Sequence, residues 1–478
     1  MLTFDATPAR VREATKLAYR YGVALDGVNT YWAAQPRVSE IPGFAFKLKP
    51  YQAEGVAHLE RWDGNVLLAD EPGLGKTAQV MAYAYKNSRF PMLAILPKTL
   101  LLNWRREIHL MLGTQLKVLI VGFVPSQKRL AQLLMQYPNV HYSKTPQAGY
   151  DVTLINYDIV HRNLDALEHI KYEYVVCDES HKIKNGKAQR TQAILRLVTG
   201  REEVKGKRGE WRVLHDGVKR VTFCTGTPIL AKPVEMWTMA NTLASWVPQF
   251  ANFFQFATRY CNAQRTRFGW DFNGSSNELE LNRLLTDTIM IRRRKDQVLR
   301  ELPAKIYTTV PLMFNRADYD KVVQAFDHTI DWKAGFEALI THGGRPPKSD
   351  EAIVAIQKLR EIAAYSKMES AAEWITDFVE EGQKLVVFAH HRNMILNLKT
   401  QIESTPGFEG EVVTIMGGVS PEDRNKAVER FQNNPSTKVI IISHSAGGYG
   451  ITLTAASTVA FVEQIGRASC RERVSSPV

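Results

Sequence analysis

Val66-Leu67-Leu68-Ala69-Asp70-Glu71-Pro72-Gly73-Leu74-Gly75-Lys76-Thr77 decides how this chain is read. An apolar run of strand length stops at a Pro-Gly-x-Gly turn, after which Ala78, Val80, Met81, Ala82 and Ala84 recur with helical spacing. Strand, glycine turn and helix form the context in which Gly-Lys-Thr holds nucleotide phosphates. Glycine lets backbone N–H groups curl around an anion, because no Cβ blocks positive φ. The helix starting at Lys76 adds its positive end. In that geometry Gly73 and Gly75 line the phosphates, Lys76 reaches the β- and γ-phosphates, and Thr77 offers its hydroxyl to Mg2+. The first glycine of the usual pattern is missing, and a ligand-free glycine turn would share the spacing. The flanking strand and helix favour the phosphate loop.

Outward from this stretch, strand and helix patterns alternate from about residue 45, which predicts a parallel sheet covered on both faces. The strand candidates are Asn65–Ala69, Met92–Leu96, Lys117–Val121, Val152–Asn156, Tyr174–Asp178 and Val221–Thr225. Residues 201–220 interrupt the pattern with a charged insertion, either a solvated loop or a DNA-facing hairpin. Residues 237–300 are aromatic-rich and helical, with aromatics that read as core before they read as base-stacking platforms. Within them, Arg292-Arg293-Arg294-Lys295 is open between a phosphate contact and a solvated helix face. A polar stretch near Gly343–Asp350 reads as a linker. A second alternation then begins near 368, with candidates Leu385–Ala389, Glu411–Met416, Val439–Ser443 and Thr458–Val462.

The fold class expected is therefore α/β, with two RecA-like parallel-sheet lobes and a helical insertion between them. The boundaries are an accessory segment at 1–40, a first ATP-binding lobe at 41–236, insertion and linker at 237–367, a second, incomplete lobe at 368–463, and a tail at 464–478. A formal charge of +12 over 478 residues favours a polyanionic partner. Four scattered cysteines suggest neither a zinc site nor a disulfide framework, which points to a reducing compartment. No basic, apolar leader opens the chain, and no apolar run reaches membrane-spanning length. The expectation is a soluble intracellular protein, cytoplasmic or nucleoid in a bacterial or phage setting, with no membrane contact and no protein partner indicated.

The second chemistry-bearing stretch is Tyr174-Val175-Val176-Cys177-Asp178-Glu179-Ser180-His181. A β-branched run ending in paired carboxylates can set Asp178 on Mg2+ and leave Glu179 to orient and deprotonate water, the parts phosphoryl transfer needs. Taken alone, such a pair also reads as a helix cap.

Together, Asp178–Asn185 and Ala69–Thr77 resemble motifs of the superfamily-two helicases, specifically the Swi/Snf-type DNA-translocating ATPases. The wording Ala389-His390-His391 and Asp178-Glu179-Ser180-His181 looks most like the annealing-helicase branch and its bacterial or phage relatives. Other motifs follow in order. Leu48–Gln52 resembles the element that reads adenine through Gln52. Leu96–Thr99 with Trp104, and Ile155–Asp158, resemble the strand-tracking elements. Thr225–Ile229 resembles the element coupling hydrolysis to DNA movement, which implicates Thr227. Leu385–His391, Gly417-Gly418, Arg424, Phe431-Gln432 and Ser443–Ala456 resemble second-lobe elements.

The resemblance implies ATP and Mg2+ as cofactors and Lys76, Asp178, Glu179 and Thr227 as catalytic residues. It also implies contacts from Lys98, Thr99, Tyr157, His391, Ser443 and Thr452 to double-stranded DNA, independent of base sequence. The function implied is an ATP-dependent translocase that remodels or reanneals duplex DNA. The alternatives are a strand-separating helicase, and a catalytically weak ATP- and DNA-binding protein. Pro72 replaces the methionine usual in the family.

The arginine-bearing last motif is expected after Glu463, where the chain instead reads Gln464–Val478. This tail resembles one reading frame of a sequencing-library adapter. It is expected to be non-native, with weak ATP turnover by this truncated chain as the consequence. The basic balance survives without it.

Overall fold

The computed structural model describes residues 6–203, 211–228, 232–267, 269–301, 305–312, 360–444, 451 and 453–463. The chain divides into two compact units, Met1–Leu302 and Pro303–Val478.

The first unit is built on eight parallel strands. They are β1 (Val66–Leu68), β2 (Met92–Leu96), β3 (Val118–Val121), β4 (Val140–Ser143), β5 (Val152–Asn156), β6 (Tyr174–Asp178), β9 (Val221–Cys224) and β12 (Met290–Ile291). Their order across the sheet is β12-β1-β9-β6-β2-β5-β3-β4. Every residue of β2, β5 and β6 is buried, as a parallel sheet covered on both faces requires. All six predicted strands are present. The patterning missed β4, an edge strand buried only at Val140, and β12, two residues too short to show a period.

Register brings the chemistry together. Leu68 and Asp178 both lie beside Cys224, so the chain leaves β1, β9 and β6 side by side at one carboxyl edge.

Residues 237–301 pack within the first unit. Phe250, Phe256 and Tyr260 share one apolar core with Leu67, Ile95, Val175 and Phe223, and β12 extends the sheet beside β1. Burying these large rings against that face of the sheet repays their ordering. The helix Pro8–Tyr21 is capped by Thr7 and ends at Gly22, whose φ is 65°; Tyr19 meets Trp246 edge-on at 5.8 Å. Within the charged insertion, β7 (Arg201–Glu203) and β8 (Trp211–Val213) pair antiparallel.

The second unit holds four parallel strands, β13 (Leu385–Ala389), β14 (Glu411–Ile415), β15 (Thr437–Ser443) and β16 (Thr458–Phe461), ordered β14-β15-β13-β16. One face packs on Ile375, Ile395 and Leu398, the other on Phe431 and Ala427. Each unit is thus a RecA-like parallel-sheet lobe. Among the described residues, no helix is long and apolar enough to cross a membrane.

His58, on the helix Pro50–Arg61, has its Nε2 shut from solvent. Burial, helped by the charges of Arg61 and Arg293, pushes its pKa down to about 3. The unfolded chain therefore takes up this proton first, and the stability it carries is lost as pH falls from 6.5 toward 3. His58→Leu is expected to move the acid-unfolding midpoint, followed by circular dichroism, to lower pH; an unmoved midpoint would contradict this.

Candidate nucleotide site

The loop Asp70–Gly75 joins β1 to the helix Lys76–Lys86. Gly73 and Gly75 hold φ of 87° and 72°, left-handed backbone that a side chain would strain. A Cβ on Gly75 would also lie 2.4 Å from Gln52 Nε2. Gln52 accepts from Lys49 N at 3.0 Å and donates to Leu74 O at 3.4 Å, so the predicted adenine reader stands against the loop. Lys76 Nζ donates to the carbonyl oxygens of Asp70 (2.8 Å) and Glu71 (3.3 Å).

Asp178 ends β6 and is buried. Its Oδ2 accepts from Trp104 Nε1 at 2.9 Å and its Oδ1 from Glu179 N at 2.9 Å. Burial first, and the neighbouring Glu179 charge second, push its carboxyl up to about 6, while Lys76 pulls the other way. Glu179 sits at φ 52°, a left-handed conformation rare outside glycine, and its Oε2 lies 3.2 Å from His181 Nδ1. His181 Nδ1 in turn lies 3.5 Å from Thr225 Oγ1, which accepts from Thr227 N at 3.2 Å.

The segment Thr225-Gly226-Thr227 touches the loop Asp70–Gly75 directly. A Cβ on Gly226 would come within 2.7 Å of Pro72 Cδ, so only glycine permits this approach. The structure thus brings together Gln52, Gly73, Gly75, Lys76, Thr77, Asp178, Glu179 and Thr227 in one neighbourhood at the carboxyl edge of the first sheet.

The donors suit magnesium. Among the described residues no group of three or more His, Cys, Asp or Glu could cage a metal ion. Mg2+ needs no such cage, since it binds through one or two carboxylates together with substrate phosphates. Asp178 and the Thr77 hydroxyl fit that arrangement. Thr77 is hydrogen-bonded to Glu107, whose carboxyl is raised by burial against the pull of Asn103 and Thr77.

Several residues support the site that the sequence did not place there; Trp104 belongs to a segment that resembles a strand-tracking element. Trp104 and Glu107, three apart and on one face of the helix Leu101–Leu112, hold Asp178 and Thr77 respectively. Arg293, left between phosphate contact and solvated face, is neither. It is buried, its Nε donates to Asp70 Oδ1 at 3.0 Å, and its Nη2 reaches Asp70 Oδ2 and, at 2.8 Å, Gln79 Oε1. Lys295 N donates to Glu71 Oε2 at 2.8 Å. The spacing of Trp104 and Glu107 was legible; the pairing of Arg293 with a loop 223 residues away was not.

The predicted DNA-contacting residues divide. Lys98 is exposed just past β2, and Thr99 beside it has a buried hydroxyl with no hydrogen bond. Tyr157 is corrected: it is 2% exposed, and its hydroxyl donates to Asp178 O at 2.7 Å, so it props the carboxylate strand and has no surface for a DNA strand. Ser443 is corrected likewise, because its side chain is buried at the end of β15. His391 is partly exposed, with Nδ1 against Glu463 Oε1 at 2.5 Å, and Glu463 Oε2 accepts from the backbone N–H groups of His390 and His391. Thr452 and residues 464–478 lie outside the described residues.

The chain matches the SNF2-related domain over residues 51–202 and the helicase conserved C-terminal domain over residues 366–466. It is 31% identical over 427 residues to the DNA annealing helicase and endonuclease ZRANB3 of Bos taurus, covering 87% of this chain and 36% of that protein. Against the SWI/SNF-related matrix-associated actin-dependent regulator of chromatin subfamily A-like protein 1 of Drosophila melanogaster, identity is 30% over 431 residues, covering 88% of this chain and 49% of that one. The chain therefore spans at most about half the length of these two relatives. The solved Sulfolobus solfataricus SWI2/SNF2 ATPase core in complex with dsDNA is 22% identical, with a TM-score of 0.41 and coverage of 90% of this chain and 84% of that one. That similarity is too weak to bear on function.

Proposed function

The chain belongs to the SNF2-related helicase-like family, and from that premise we propose that it is an ATP-driven translocase of double-stranded DNA, remodelling or reannealing duplexes without reading their sequence. The observation that carries this reading is the convergence of Lys76, Asp178, Glu179 and Thr225 at the carboxyl edges of three adjacent strands. Lys76 and the amides of Gly73–Lys76 hold the β- and γ-phosphates, and Gln52 meets the adenine. Thr77 and Asp178 hold Mg2+, which when bound neutralises phosphate charge. Asp178 must be ionised for this, and Trp104, Tyr157 and the Glu179 N–H fix its carboxylate and strand. Glu179 takes a proton from the attacking water. His181, between Glu179 and Thr225, relays the state of the phosphates to Thr227 and onward along the chain.

Domain roles follow the same division. Residues 41–236 carry the ATP chemistry, residues 368–463 supply a second grip through His391 and Thr452, and residues 1–40 are accessory. Lys98, exposed just past β2, meets the DNA backbone in the first lobe. Contacts to phosphate confer affinity without sequence information and release counterions. Such a protein works inside the cell, in the nucleoid if its host is bacterial.

The test is ATP hydrolysis with duplexes of unrelated sequence across a salt series. Stimulation is expected to be equal across sequences, and log affinity to fall linearly with log salt, with a slope near −0.9 per phosphate contacted. Absence of any DNA stimulation would overturn the proposal, and strand displacement without triplex displacement would favour a strand-separating helicase.

A further inference from the structure

Most rings of the aromatic-rich region are core, but one group is not. The hairpin of β10 (Gln264–Thr266) and β11 (Gly269–Asp271) projects from the first lobe with every described strand residue exposed, and Arg265 pairs across it with Trp270. Trp270 is 48% exposed, although large rings are normally drawn into a core. It is also held in place. The Phe272 ring lies parallel to it at 6.3 Å and 6°, and Phe254, itself 45% exposed, meets it edge-on at 4.8 Å and 87°.

The base below this tip is rigid. A Cβ on Gly274 would fall 2.9 Å from both Asn262 Cβ and Cys261 O. Asn262 N donates to Ser276 Oγ at 3.1 Å, and Ser276 N to Tyr260 O at 3.0 Å.

We propose that this hairpin is a nucleic-acid contact of its own, in which Trp270 stacks on an unpaired base and Arg265 and Arg267 take the adjoining phosphates. The inference rests on the DNA reading above and adds the substrate feature recognised, a junction where the duplex opens. Duplex DNA keeps its base faces covered by their neighbours, so an exposed indole finds a partner only where pairing is broken. The charge fits the same occupant. Over Gln264–Asp271 the hairpin carries two arginines against a single acid, Asp271, which is turned back onto Asn273 N at 3.0 Å. A ring already propped by Phe254 and Phe272 loses little freedom on binding, which keeps the cost of stacking low.

Lys232 donates from Nζ to Asn273 Oδ1 at 2.7 Å, a further tie at the hairpin base.

The experiment compares two labelled DNAs by fluorescence anisotropy, a plain duplex and the same duplex ending in two unpaired arms, using the full chain and its Trp270→Ala, Trp270→Phe and Arg265→Ala variants. Trp270→Ala is expected to weaken fork binding about tenfold, the size of one lost base stack, while duplex binding stays within about twofold. Trp270→Phe keeps a stacking face and should retain most of the fork preference. Arg265→Ala should flatten the salt dependence on the fork by about one counterion.

Equal weakening on both DNAs, or no weakening on either, removes the hairpin's role. Unaltered protein that binds duplex but shows no fork preference also removes it, while leaving the translocase reading in place. Unaltered protein that binds neither DNA removes both. Thermal melting matched to the unaltered chain shows that the variants fold.

Discussion

Replacing Glu179 by glutamine is expected to lower DNA-stimulated ATP turnover by about 10²–10⁴-fold relative to the unaltered chain, with ATP still bound. The two carboxylates at the end of β6 stand in different surroundings, which in the proposed mechanism gives them different work. Asp178 is buried and fully engaged by Trp104 and the Glu179 N–H, which suits a fixed charge holding a cation. Glu179 is less buried and leans on His181 at 3.2 Å, which suits a group that gives and takes a proton. Glutamine keeps the size and hydrogen-bonding reach of the side chain but cannot accept the proton, so binding and turnover should separate. Fluorescent ATP-analogue affinity measured beside phosphate release reads both quantities. A variant that hydrolyses at the parental rate would remove Glu179 from its role, and one that loses nucleotide binding as well would show that its part is structural.

The second large effect is on stability. Asp70 is 0% exposed, and Arg293 takes both its carboxylate oxygens while also reaching Gln79 and the backbone oxygen of Tyr51. Arg293→Met would strand a buried carboxylate and should cost about 3–5 kcal/mol in a denaturant titration. Removing the pair together, as Asp70→Leu with Arg293→Met, leaves no uncompensated charge and should recover most of that loss. The single variant should also weaken nucleotide binding, because Asp70 and Gln79 both support the loop, and Gln79 donates to Leu74 O at 3.2 Å. A single variant within about 1 kcal/mol of the parent would mean the pair is already well solvated, contrary to its burial.

Much of the candidate site was legible because its parts are local. Gly73, Gly75, Lys76 and Thr77 follow one another on a strand-turn-helix, and Asp178 and Glu179 end a β-branched run. Such signals survive in a linear string, since backbone conformation and hydrogen bonding over a few residues set them. The same holds for the ten predicted strands, most of whose apolar runs reflect burial on both faces, although β16 is only partly buried. Residue-by-residue roles were less legible. Tyr157 and Ser443 sit in motifs that resemble DNA-tracking elements, but a motif does not say which side chain points inward, and both do.

Two RecA-like lobes, a glycine-rich loop after the first strand and paired carboxylates at the end of a later one were legible from the residues alone. Periodicity and turn chemistry dictate those features locally. Three features needed the folded molecule: residues 237–301 pack into the first unit, Arg293 is the counter-charge to Asp70 beneath the glycine-rich loop, and Trp270 stands outside the core its neighbours fill. Each depends on what a side chain meets across hundreds of residues. Burial and charge pairing belong to the folded surface and the folded core, and no spacing along the chain encodes them.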